Sequence, residues 1–522
     1  MPAWWRAGAL SSLEAIAAGA FGAVLLVGAV ASRRVFGFPV GASDFHDYCQ
    51  AVQSVVIEDV QRFPAQRSRF VAELPGLLAP HVGVLHSLIQ ASFLSTFVLM
   101  VALFSWGSAL GGRRAGWFSV TWASAFGPLV MLGRTVSFYP EIVAVYTVAA
   151  ACLTHALVRG ERRWLLASGV AVALVPLADV RSVVLFLALL PLAVLAGFGA
   201  RVPGAGAPRR WAERFAWACL PLVFAHLSWR VGPWAFPQGG ASVQSVVAAY
   251  VADAGRAAGS VWPVPDGLLE TPFSWGHHPP SRLPPTLQQL AEVDRARPAI
   301  VERLALLSPA VGELRTMLPS LAAAGAAAVL LLFRRPRALF ALLAVSAPFA
   351  LLLRAAALSL PHPRQLAQGA GFLPVVLGVG SAALLAGLGY ALRWAVSRRA
   401  GRTIPAHWAG RVDAAATALG VALVAAALAG RVPSALGPDA AWRDVLSAES
   451  EPHASIEAAR GQAGGGPPSP CVGLLLRDLH EGHSLEVPWL PPARKRPADL
   501  GRAPPQDQAT IAPAESAASP SR

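Results

Sequence analysis

Five short groups of ionisable residues stand out in a chain otherwise poor in them. The first is Ser43-Asp44-Phe45-His46-Asp47-Tyr48. A carboxylate there can take a proton from an acceptor hydroxyl; an acidic exposed loop is the plainer reading. The second is Arg134 followed by Phe138-Tyr139-Pro140-Glu141. A guanidinium matches the geometry of a phosphate; alternatively Arg134 pairs with Glu141 and caps two helices. The third is Asp179-Val180-Arg181, either a local ion pair or part of a site. The fourth is His277-His278-Pro279-Pro280. Adjacent histidines point different ways and rarely share one metal, but one can act as acid, base or hydrogen-bond donor. The fifth is His362-Pro363-Arg364-Gln365, where a cation suits a lipid-linked phosphate or pyrophosphate, or anchors a helix at an interface.

The elements that must position these groups are apolar. Hydrophobic residues make up 55% of 522 positions and charged residues 14%, whereas a soluble domain carries about a quarter charged. The apolar residues gather in runs such as Leu13–Ala31 and Val412–Gly430, close to the roughly 20 residues a bilayer span requires. Ala, Leu and Val fill them without the alternation of a barrel strand. The expected fold is all-α: a polytopic transmembrane helical bundle. About eleven spans of the length a bilayer requires are expected. They lie near 13–32, 84–110, 117–133, 141–158, 165–178, 183–200, 215–231, 318–333, 338–358, 367–392 and 412–430.

The net charge of +14 is almost all arginine, with Lys495 the only lysine. With the N-terminus cytoplasmic, the inner loops are Gly111–Gly116, Val158–Trp164, Arg201–Arg214, Arg334–Arg337 and Arg393–Arg411, and arginine concentrates in them. That is the positive-inside pattern, so the charge marks topology and not nucleic acid. The N-terminal run, ending at Ala29-Val30-Ala31, imitates a signal peptide but is long; it reads as a retained first helix.

This orientation places all five groups on the outer face. That face also holds a first loop (33–82), a second (232–317) and a tail from Val432. Residues 1–431 form the membrane domain, and the Pro/Gly/Ala/Ser-rich tail 432–522 is expected to be largely disordered, apart from a strand-like piece, Cys471–Leu476. In the first loop, Val52, Val55, Val56, Val60 and Phe63 share one helical face, with Pro64 as the breaker. That helix lies either in the membrane interface or against the protein's own surface. The second loop carries two helix-like stretches, Ser242–Ala258 and Leu287–Leu307. Cys152 and Cys219 read as small hydrophobes within apolar runs; Cys49 and Cys471 fall outside them and can pair in an oxidising compartment. There is no internal repeat, no Gly-rich phosphate loop and no Cys/His metal spacing.

The order of these groups resembles the GT-C superfamily of membrane glycosyltransferases, and within it the polyprenol-dependent mannosyltransferases. Asp44-Phe45-His46-Asp47-Tyr48, followed by Ala51, resembles the first-loop block. Pro128, Arg134 and Tyr139-Pro140-Glu141 resemble the second; Asp179-Val180-Arg181-Ser182 with Leu185–Pro191 the mid-chain block; Arg364 through Pro374 to Gly380 the late one. Gln365 stands where that family usually has an aromatic, and the adjacent acidic pair of the protein-mannosyltransferase branch is absent. The resemblance implies a cell-envelope glycosyltransferase of a bacterial inner (plasma) membrane, working on its outer face. The donor is a polyprenyl-phosphate sugar and the acceptor a glycan, lipid or protein. Asp44 is the implied base, with Asp47 its rival. Tyr48, Arg134, Tyr139, Glu141, Asp179, Arg181, His277, His278, His362 and Arg364 are the implied substrate contacts. No cofactor is expected; a divalent metal is possible but not indicated. Two other readings stay open: a transporter or lipid flippase, and a non-catalytic membrane protein of envelope assembly.

Overall fold

In hydrocarbon each backbone N–H and C=O must be satisfied within its own segment, which makes a helix of any long apolar run. The computed structural model describes residues 16–22, 44–64, 67–125, 137–202, 206–237, 335–359 and 363–400, with isolated positions at 129 and within 322–333, 418–422 and 475–483. All regular structure among the described residues is helical.

The first loop folds as α1 (Asp44–Val56), a 3-10 turn (Val60–Arg62) and α2 (Arg69–Val82). α3 (Val84–Gly111), α4 (Arg113–Ala125), α5 (Tyr139–Arg159), α6 (Arg162–Ala178) and α7 (Val183–Phe198) follow, with a 3-10 turn (Val180–Ser182) leading into α7. Next come α8 (Ala207–Ala235), α9 (Pro336–Ser359), α10 (Pro363–Ala370) and α11 (Phe372–Ala400). Among the described residues, five segments are long and apolar enough to cross a membrane: Val84–Gly111, Tyr139–Arg159, Val180–Phe198, Pro336–Leu353 and Ala367–Ala391. The chain is an integral membrane protein. The expected spans near 165–178 and 215–231 fall on α6 and α8. Those near 13–32, 117–133, 318–333 and 412–430 lie wholly or partly outside the described residues.

α3 is the central helix, packing on α4, α5, α2 and α11. Small residues let it approach α4 closely: a Cβ on Gly107 would meet the Ala115 carbonyl oxygen at 2.9 Å. Hydroxyls at membrane depth bond back one turn, as Thr96 does to Ser92 and Thr147 to Val143, both at 2.8 Å.

Two local expectations are corrected. The apolar face 52–63 is not one helix ended by Pro64. α1 stops at Val56, Glu58 turns left-handed at φ 54°, and the Asp59 carboxylate caps the next turn by accepting Gln61 N–H at 3.1 Å. Val52 and Phe63 are buried, while Val60 is 42% exposed. α1 packs on α2, and Gly76 approaches Val55; of the two alternatives, the helix lies on the protein's own surface. Of the expected strand-like piece Cys471–Leu476 only Leu475 is described, and it is helical; the other five residues lie outside the described residues. Asp478 accepts the Val84 N–H at 2.7 Å, which caps α3.

Candidate functional site

A small pocket, open to solvent and with a cavity volume of about 20 Å³, lies where α1, the start of α2, the start of α5 and the end of α6 meet. Tyr48, Arg67, Ser68, Val71, Phe138, Tyr139, Ile142, Ala178 and Asp179 line it. Its builders come from three widely separated stretches of chain.

Helix geometry explains the meeting. α5 begins at the pocket with Tyr139 and runs away from it for 21 residues, about 30 Å at helical rise. α6 returns over 17 residues and ends at Ala178 beside the same pocket. Asp179 then leaves the helix in an extended conformation, and its carboxylate accepts the Arg181 N–H at 3.0 Å, which starts the turn into α7. Below that turn the Tyr146 and Ser182 hydroxyls share a hydrogen bond. The Ser68 hydroxyl donates to the Leu177 carbonyl, which ties the start of α2 to the end of α6.

Arg67 is the charged centre of the wall. Its Nε and Nη2 donate to Asp47 Oδ2 at 3.2 and 3.0 Å, and both side chains are partly exposed. The guanidinium lies 5.0 Å from the centroid of the Tyr48 ring, a cation–π geometry. Tyr48 is itself buried and packs on Phe138 with ring centroids 4.8 Å apart. Acid, cation and two aromatics therefore form one stack at the mouth.

Of the residues singled out from sequence, Tyr48, Tyr139 and Asp179 line this pocket, and Asp47 reaches it through Arg67. Glu141 does not line it: it is buried beside Ser95, between α5 and α3. Arg181 is exposed in the turn after Asp179. Asp44 opens α1 and Arg364 lies in α10, which packs on α5, but their side chains fall outside the described residues. Arg134, His277, His278 and His362 fall outside them altogether. Cys49 is buried, and Cys471 also lies outside. Phe138, which stood in the second group, lines the pocket as well; the sequence reading missed Arg67, Ser68, Val71, Ile142 and Ala178. Nothing in the sequence set Arg67 apart from Arg33, Arg34, Arg62 and Arg69, the other arginines of the first loop.

Chemically, the pocket presents a guanidinium at Arg67, a carboxylate at Asp179 and the aromatic rings of Tyr48, Phe138 and Tyr139. Among the described residues no three His, Cys, Asp or Glu side chains gather as metal ligands.

No protein-family profile matches the chain, and no curated protein matches it in sequence. Solved structures do resemble it. One is an oligosaccharyltransferase of Archaeoglobus fulgidus, tethered with an acceptor peptide: 12% identity, TM-score 0.45, covering 89% of this chain and 60% of that one. Another is ArnT from Cupriavidus metallidurans, bound to undecaprenyl phosphate (13% identity, TM-score 0.44) and in the apo state (14%, 0.47); each covers 88% of this chain and 83% of ArnT. The chain spans about three fifths of the length of the oligosaccharyltransferase.

Proposed function

We propose that this chain is a membrane glycosyltransferase that moves a sugar from a polyprenyl-phosphate donor to an acceptor hydroxyl, with the pocket on the outward face of a bacterial inner membrane. One observation carries the reading. The first-loop group, the group opening α5 and the Asp179 turn, chosen from sequence for their chemistry, contribute side chains to a single pocket at one end of the bundle.

In this reading Asp44, at the start of α1, accepts the proton of the acceptor hydroxyl. The hydroxyl oxygen attacks the anomeric carbon with inversion, and the carbon–oxygen bond to the lipid phosphate breaks. The departing phosphate carries the electron pair, and its charge needs fixed cations. Arg67 supplies one at the mouth; Arg134, Arg364 and the His277-His278 pair are the further candidates. Asp47 aims Arg67 and does not compete as base. Tyr48, Tyr139 and Asp179 position the substrates. A flippase would carry its ionisable groups along the span; in this pocket they sit at helix ends.

The test is transfer from a synthetic polyprenyl-phosphate hexose to candidate acceptors by the purified full-length protein. Loss of transfer in both Asp44→Asn and Arg67→Ala, with folding retained, supports the assignment. Undiminished transfer in both variants overturns it.

A further inference from the structure

The end of the bundle away from the pocket is built differently. Arg159 closes α5, Arg162 and Arg163 open α6, Arg201 follows α7, and Arg209, Arg210 and Arg214 lie in the first turns of α8. Main-chain bonds gather them. Arg201 N–H donates to the Gly160 carbonyl at 2.8 Å, and Arg214 Nε to the Ala200 carbonyl at 3.3 Å. Among the described residues, two carboxylates stand among these seven arginines, Glu161 and Glu213. Glu161 pairs with Arg163 at 2.8 Å, and Glu213 is shared by Arg162 at 3.0 Å and Arg209 at 3.4 Å. Arg201 and Arg210 make no ion pair among the described residues, and Arg214 meets only a carbonyl. Arg159, only 7% exposed, lies in the field of Glu161, Arg163 and Arg201.

Aromatic side chains fix the depth of this cluster. Trp211 and Phe215, one turn apart on α8, are 67% and 58% exposed beside Arg210 and Arg214. Exposed aromatics flanking cations are the mark of the headgroup layer. A topogenic arginine requires only net charge in a loop. Here the backbone instead holds three arginines, short of carboxylates, on one surface between helix ends.

We propose that this surface is a binding site for anionic phospholipid headgroups of the leaflet opposite the pocket. Arg201, Arg210 and Arg214 take phosphate oxygens, as guanidinium forks do, while Trp211 and Phe215 lie against the glycerol and upper acyl region. The proposal is independent of the transfer chemistry.

Full-length protein is examined by native mass spectrometry and thermal unfolding after addition of phosphatidylglycerol or, separately, phosphatidylcholine. The expected result is selective retention of phosphatidylglycerol and an upward shift of several degrees in Tm relative to phosphatidylcholine. Both effects fall to the phosphatidylcholine level in the combined Arg201→Gln, Arg210→Gln, Arg214→Gln variant, which keeps the wild-type elution volume. Should that variant not fold, the wild type serves alone, since the phosphatidylglycerol shift must collapse between 0.05 and 1 M salt, roughly the range over which screening shortens to a few ångströms. Equal stabilisation by both lipids, salt-insensitive stabilisation, or unchanged retention by the folded variant overturns the proposal. So does an equal shift with inorganic phosphate alone, which would assign the site to a free anion.

Discussion

Arg67 holds the Asp47 carboxylate at 3.0 Å while its guanidinium covers the Tyr48 ring at 5.0 Å. A partly exposed ion pair of this kind contributes little to folding, about 1 kcal/mol or less. Its consequence is orientation. Arg67→Ala is expected to leave the unfolding temperature nearly unchanged and to lower kcat/KM for a lipid-phosphate donor about 100-fold, the usual loss when one donor to a developing oxyanion is removed. Asp47→Asn keeps an acceptor for Arg67 and is expected to reduce kcat/KM far less. Arg67→Lys does not restore the wild-type value, because an ammonium lacks the planar fork and stacks poorly on Tyr48. Steady-state kinetics of the three variants check this ordering.

Tyr48 separates packing from polarity. It is buried and in ring contact with Phe138. Tyr48→Phe retains the rings and the surface under Arg67, so stability stays close to wild type. Tyr48→Ala opens a cavity and is expected to cost about 3–5 kcal/mol, as other buried aromatic truncations do. Thermal unfolding in detergent reads both. A stability loss in Tyr48→Phe as large as in Tyr48→Ala would show that the hydroxyl matters more than the ring.

Glu141 is buried beside Ser95 and does not line the pocket. No cation pairs with it among the described residues; a buried carboxylate costs stability, and an amide of the same shape relieves the charge. Glu141→Gln is therefore expected to raise the unfolding temperature or leave it unchanged, with KM for the donor preserved. A rise in KM together with unchanged stability would return Glu141 to the substrate site.

Asp478 links the tail to the bundle. It is buried and accepts the Val84 N–H at 2.7 Å. Burial holds its carboxyl above the usual carboxylate range, with the Val84 hydrogen bond opposing. The folded state then binds more protons than the unfolded state between the ordinary value, about 4, and the raised one. Its contribution to stability thus falls as pH rises through that window. Asp478→Asn keeps an acceptor for Val84 and removes the pH slope. Asp478→Ala orphans the N–H and costs about 1 kcal/mol at any pH. Protease resistance of the 475–483 segment across pH 4–7, compared among the three proteins, reads the difference.

The membrane bundle was legible because its cause is local and additive. A run such as Val84–Gly111 is apolar enough by itself to make a helix at membrane depth, whatever its neighbours. Tyr48, Tyr139 and Asp179 were legible as candidates because polar groups are rare at such helix ends. The end of α1 was not. Spacing from Val52 to Phe63 fits one helix, and only the Asp59 cap and the left-handed Glu58 show that the chain turns first.

Arg67 marks the boundary most clearly. By type, Arg62, Arg67 and Arg69 are equivalent in the sequence. In the fold Arg62 meets Asp59 at 3.1 Å, Arg69 meets Glu73 at 2.7 Å, and Arg67 turns into the pocket. The sequence by itself determined the helices and the chemistry gathered at their ends, because transfer of each segment into hydrocarbon depends on that segment's own residues. Which ends share a wall was decided only by tertiary packing. α5 leaves the pocket and α6 returns to it, so Tyr139 and Asp179 meet Tyr48 through helix lengths and crossings that no short window of residues contains.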